Sequence, residues 1–125
     1  MAKVLVVDDS KVMRINVGNM LKKLGHEVVA EADNGFTAIE MYKTHLPDFV
    51  TMDITMPPVN GVYDGIEAVG IIKKKFPEAK VIMATSHGDK DKIIKAIKNG
   101  ASNYLLKPIK VEKLQEVIGK IGIIN

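Results

Sequence analysis

Short apolar runs alternate with helical periods from one end of the chain to the other. Lys3 leads into Val4-Leu5-Val6-Val7, an unbroken apolar run that ends in two acids, Asp8 and Asp9. A run apolar at successive positions suits a central parallel strand covered on both faces. Met13, Val17, Met20, Leu21 and Leu24 then fall on one helical stripe, with Ser10 placed to cap it and Gly25 to stop it. Val28 to Ala32 reads as a second strand, and Asn34-Gly35 as a turn. A helix follows with Ala38, Ile39 and Tyr42 inward, ending at Leu46-Pro47. Phe49 to Met52 is a third strand closing on Asp53. Pro57 to Gly65 carries two prolines and two glycine turn signals, so it is a loop. Asp64 and Glu67 have capping-box spacing for the next helix, which buries Ile66, Val69 and Ile72 and stops before Pro77. Lys80 to Thr85 is a fourth strand, and Ser86 to Asp89 a loop. Ile93, Ala96 and Ile97 line a fourth helix that Gly100 stops. Asn103 to Leu106 is a fifth strand ended by Lys107-Pro108, and Val111, Leu114, Val117, Ile118 and Ile121 form the last stripe.

Five strands alternating with five helices imply an α/β fold with a doubly wound parallel sheet. At 125 residues the chain is expected to form a single domain over 1–125. It contains no cysteine, which excludes disulfides, thiolate metal sites and cysteine nucleophiles. Eighteen basic against 15 acidic side chains leave only +3, spread along the chain, which is weak evidence for nucleic acid and reads as a solvated basic surface. No signal peptide and no run near the ~20 residues of a membrane span occur, so a cytoplasmic location is expected.

In such sheets ligands bind beyond the C-terminal ends of the strands. The polar residues there are Asp8 and Asp9, Asp53, Thr85 and Lys107, drawn from four different strands. Taken singly, each has a bland explanation as a cap, a strand residue or a solvated cation. Together they make a site. Three carboxylates converging on one crevice repel by several kcal/mol per pair at about 4 Å and an effective dielectric of about 20. Either one protonates or a cation binds, and hard oxygen ligands favour Mg²⁺. A carboxylate is also a covalent nucleophile for phosphoryl groups, whose oxygens Lys107 and Thr85 are placed to stabilise. Asp53, alone at its strand end, is the candidate acceptor. His26, His45 and His87 lack metal-ligand spacing. All three read first as packing or surface residues, with a modulating role as the lesser alternative for His87, which lies beside the site.

At these residues the sequence resembles the response-regulator receiver domains of two-component systems, and within them the stand-alone CheY-like chemotaxis regulators. The resemblance spans nearly the whole chain. It rests on Val-Leu-Val-Val-Asp8-Asp9-Ser10, Met52-Asp53-Ile54-Thr55-Met56-Pro57, Asp64-Gly65-Ile66-Glu67-Ala68, Ile82-Met83-Ala84-Thr85 and Tyr104-Leu105-Leu106-Lys107-Pro108. It implies a flavodoxin-like, CheY-like strand order of 2-1-3-4-5. It also implies that Asp53 takes phosphate from a sensor histidine kinase. Mg²⁺ would sit on Asp9, Asp53 and the Thr55 carbonyl, with Asp8 helping through water. Lys107 would pair with the phosphoryl group, joined to Pro108 by a cis bond. Thr85 would be the switch hydroxyl and Tyr104 the switch aromatic, acting on the fourth helix, fifth strand and fifth helix. The implied partners are the kinase, a flagellar motor switch protein or other effector, and a phosphatase, with neither nucleic acid nor membrane insertion. Such a domain catalyses only its own phosphoryl transfer and loss. One departure stands out. Six residues separate Pro57 from Asp64, a longer connection than receivers usually have, and Asn60-Gly61 and Asp64-Gly65 read as a doubled turn. This segment is expected to form a small flap that contacts a partner.

Three other functions compete. A phosphorelay intermediate handing phosphate to a histidine phosphotransfer protein would use the same site. A haloacid-dehalogenase-type phosphatase needs a second acid two residues after the nucleophile, where this chain has Thr55. A flavin carrier needs a neutral phosphate loop after the first strand, where this chain has Asp8-Asp9.

Overall fold

The computed structural model describes residues 1–86 and 89–123. The reading of His87 as a modulator therefore falls outside the described residues. The elements in order are β1 Lys3–Val7, α1 Lys11–Lys23, β2 Glu27–Ala32, α2 Gly35–His45, β3 Phe49–Asp53, α3 Gly65–Lys75, β4 Val81–Thr85, α4 Lys90–Lys98, β5 Asn103–Leu106 and α5 Val111–Lys120. The strands form one parallel sheet in the order β2-β1-β3-β4-β5.

Alternation along the strands divides the core between two faces. Leu5 and Val7 of β1, Val50 and Met52 of β3, and Val81 and Met83 of β4 pack with Ala38, Val69, Ile72 and Ala96 of α2, α3 and α4. The intervening Val4, Val6, Phe49, Ile82 and Leu105 pack with Val17, Leu21, Leu114, Val117 and Ile118 of α1 and α5. Burial on both faces explains why β1 and β4 read as continuous apolar runs. β1 sits between β2 and β3, so the chain leaves β1 toward one edge and returns across it to reach β3. The strand order thus reverses between the C-terminal ends of β1 and β3, which is where Asp8, Asp9 and Asp53 lie.

The helix starts follow local chemistry. Ser10 accepts from the Met13 N–H at 3.3 Å, Asn34 from Thr37 at 2.8 Å and Asp64 from Glu67 at 3.0 Å. The sequence expectation for Asn34-Gly35 is therefore corrected: this pair is a helix cap and first turn, as is Asp64-Gly65. Asn60-Gly61 alone makes a tight reversal. With φ of 48° and 83° it joins Val59 and Val62, whose N–H and C=O groups pair both ways at 3.0 and 3.1 Å. The extra segment is a miniature hairpin and not a doubled turn. It is anchored as well, because Val62 is buried against Gly35, where an added Cβ would lie 2.7 Å from the valine Cγ1. Tyr63, 68% exposed, comes next at the surface.

α4 departs from expectation too. Ala96 is its buried residue and Ile93 is partly covered, but Ile97 and Ile94 face solvent. The helix leans on the sheet through its smallest apolar side chain, which brings it close and leaves two isoleucines outside. Among the described residues no helix is long and apolar enough to cross a membrane. His26 is buried, its Nδ1 accepting the Ala2 N–H at 3.1 Å and its ring meeting Phe49 edge-on. Burial, aided by the N-terminal charge, lowers its pKa and keeps it a neutral acceptor. His45 is exposed in the last turn of α2.

Gly65 links fold to site. Its N–H donates to Ile54 O at 2.8 Å, and any Cβ there would run into the Asp53 carbonyl oxygen. The start of α3 is thereby clamped against the end of β3. Gly65→Ala should cost about 3 kcal/mol or more in urea unfolding. A variant of wild-type stability would mean that the β3–α3 connection yields freely.

Candidate phosphoacceptor and metal site

Strand register gathers the expected residues. Asp53 is the last residue of β3 and pairs in register with Ala84, next to Thr85, the last residue of β4. Thr85 in turn lies opposite Leu106 of β5, and its carbonyl accepts the Lys107 N–H at 2.7 Å. Asp8 comes directly after β1 and donates its own N–H to Ala32 O of β2 at 3.0 Å. Side-chain oxygens of Asp8, Asp9 and Asp53 all fall within 4.8 Å of one another. Asp8 and Asp53 are buried, whereas Asp9 is exposed at the mouth.

Lys107 reaches between the two buried acids, with Nζ 3.0 Å from Asp8 and 3.2 Å from Asp53. The Lys107–Pro108 bond is cis. Asp8 uses both oxygens, the second accepting the Ser10 N–H at 2.9 Å. It is fixed in place, whereas Asp53 has Lys107 as its side-chain partner. Burial, followed by repulsion from Asp8, pushes the Asp53 carboxyl up to about 6, against the pull of Lys107. Burial would lower the Lys107 ammonium, but its bonds to Asp8 and Asp53 outweigh this and raise it. Lysine therefore stays charged while Asp53 is left poorly compensated.

Three carboxylates against one ammonium leave an excess of negative charge in a half-enclosed crevice. The donor set is all hard oxygen, two ligands are held by strand ends, and the exposed Asp9 side admits water. That is the pattern Mg²⁺ accepts. Thr55 lies two residues beyond Asp53, exposed on the loop leaving β3. Tyr104 is 41% exposed on β5, so its side chain points out of the sheet in this state.

Two residues carry no signature in the sequence patterns. Arg14, the only arginine in the chain, donates to the Asp8 carbonyl at 2.7 Å and to Glu31 at 3.0 Å, tying the acidic turn to α1 and β2. Its solitude among 17 lysines was the available signal, since a guanidinium can bridge two acceptors in a fixed plane. Asp89 accepts the Thr85 hydroxyl at 3.0 Å. Only its position four residues after Thr85 pointed to it.

The fold and these strand ends define a receiver: the chain belongs to the response regulator receiver domain family, whose model matches residues 4–119. Among curated relatives, it is 44% identical to the chemotaxis protein CheY of Bacillus subtilis, over 94% of this chain and 95% of that one. It is 42% identical to CheY of Thermotoga maritima, over 96% and 97%. Among solved structures, a CheX–CheY–BeF3–Mg complex from Borrelia burgdorferi superposes with a TM-score of 0.88 at 28% identity, covering 98% of this chain and 90% of that chain.

Proposed function

We propose that this receiver is a phosphorylation switch for a protein partner in chemotaxis, with Asp53 as phosphoacceptor. The observation that carries the reading is Lys107 bridging Asp8 and Asp53, with the three carboxylates within 4.8 Å. The chemotaxis assignment rests on the CheY relatives at 42–44% identity.

An Asp53 oxygen attacks the phosphorus of a phosphohistidine on a sensor kinase. The new O–P bond forms as the P–N bond to the imidazole breaks, and the imidazole keeps that electron pair. Lys107 turns from the carboxylate to a phosphoryl oxygen, and the Thr85 hydroxyl donates to another. Asp9, Asp53 and the Thr55 carbonyl would hold Mg²⁺, with Asp8 beside them; the ion supplies neutralising charge to the phosphoryl oxygens. Hydrolysis returns the carboxylate, so the domain acts catalytically only on itself.

Thr85 then sets the output. Its movement toward the phosphoryl group makes room for Tyr104 to turn inward, so phosphate favours one of two existing states. The responding surface is α4, β5 and α5. The likeness to a CheY solved in complex with CheX supports a protein partner. We take the partners to be a flagellar motor switch protein and a phosphatase. The hairpin before α3, with exposed Tyr63, is read as a further partner contact.

Thr85→Ala should still accept phosphate from acetyl phosphate but lose the phosphate-dependent gain in partner capture. Binding that responds fully to phosphate in this variant would refute the switch role. Capture of a histidine phosphotransfer protein in place of a motor component would favour the phosphorelay reading.

A further inference from the structure

Thr85 is 2% exposed, and its hydroxyl carries one proton. In this structure that proton goes to Asp89 Oδ2, at 3.0 Å. One O–H makes one strong hydrogen bond, so Asp89 and a phosphoryl group on Asp53 compete for it. We propose that Asp89 is a positioning residue: it holds the Thr85 hydroxyl in the unphosphorylated state and is released to the start of α4 when phosphate claims that hydroxyl. The proposal rests on Asp53 being the acceptor and Thr85 the switch, and adds the group that opposes them.

The start of α4 shows the other half of the exchange. Asp89 directly precedes Lys90, in the cap position. Ser10, Asn34 and Asp64, in the same position before α1, α2 and α3, each accept a first-turn N–H. Asp89 is as good a capping type as any of them, yet its side chain makes no such bond. Its carboxylate is committed to Thr85 instead, and α4 begins without a side-chain cap. Once Thr85 turns to phosphate, the freed carboxylate is one residue from the helix that needs it. Phosphorylation is thus coupled to the order of the first turn of α4 through a single shared proton. The responding helix is also the thinly anchored one, with Ala96 as its only fully buried residue.

The test uses beryllofluoride with Mg²⁺ as a non-covalent phosphoryl mimic on the full chain, with affinity read by calorimetry and amide exchange read in the first turn of α4. Wild-type protein should bind the mimic and gain protection there. Asp89→Ala should bind it roughly 3- to 10-fold more tightly, the worth of one competing hydrogen bond, without that gain in protection. Removing a nearby negative charge would also tighten binding, so the same substitution is repeated on Thr85→Val. With no hydroxyl to contest, most of the gain should vanish. An equal gain in both backgrounds, or none in the wild-type background, overturns the latch while leaving the phosphorylation reading intact. Failure of wild-type protein to bind the mimic at all overturns both. A cooperative urea transition in each variant shows that the domain has kept its fold.

Discussion

Asparagine at position 53 should make the metal-free protein more stable at neutral pH. Asp53 is 6% exposed, and its pKa stands at about 6, against an ordinary 3.8, chiefly through burial and then through Asp8. A carboxyl whose folded pKa is raised binds more protons folded than unfolded between roughly pH 4 and 6. Stability therefore falls as pH rises through that window, and the full penalty is present above it. The rise corresponds at face value to about 3 kcal/mol, which screening at the open side of the pocket trims to roughly 1–2 kcal/mol. Asp53→Asn removes the charge and keeps the shape. The stability difference between variant and wild type should be near zero below pH 4 and grow to its full size above pH 6, as read by urea unfolding in EDTA. A variant of equal or lower stability at pH 7.5 would mean that Lys107 fully compensates Asp53 and that no excess charge is left for a metal to relieve.

Asp9→Ala should weaken Mg²⁺ binding by at least about tenfold. Mg²⁺ is bound by few protein ligands and keeps several waters, so each carboxylate carries a large share of the affinity. Asp9 is the least encumbered of the three. Asp8 is already occupied by Lys107 and the Ser10 N–H, and Asp53 shares Lys107, whereas Asp9 is exposed at the mouth of the crevice. Asp9 also adds to the raised pKa of Asp53, by less than Asp8 does. The variant should therefore show a small downward move of Asp53 along with the lost metal affinity. Calorimetric titration with Mg²⁺ reads the first effect. A wild-type curve would remove Asp9 from the ligand set.

The order of elements was legible because the sheet is buried on both faces. Val4 to Val7 and Val81 to Ala84 are apolar without alternation, and two-sided packing alone produces that pattern. The acids, threonine and lysine were legible because each stands at a strand end, where topology brings side chains from distant positions into one crevice. Less legible was whatever depends on which neighbour a polar group selects. Asn34-Gly35 and Asn60-Gly61 are the same dipeptide, yet one starts a helix and the other turns a hairpin. Residues just downstream decide between them. Thr37 offers an N–H to Asn34, whereas Val62 folds back to pair with Val59 and to fill the space over Gly35. Ile97 looked inward by periodicity, but Ala96 sets the approach of α4 and turns Ile97 outward. Arg14 and Asp89 act through a backbone carbonyl and a shared proton, which no spacing rule encodes.

The central claim is that an over-charged acidic crevice, relieved by a divalent ion and Lys107, makes Asp53 a reversible phosphate acceptor. Mass spectrometry after treatment with acetyl phosphate and Mg²⁺, with the modified residue located by fragmentation, tests it directly. One phosphoryl group on Asp53, absent in EDTA and absent in Asp53→Asn, is the expected result. Labelling at another residue, or labelling of Asp53 that is indifferent to the metal, would contradict it.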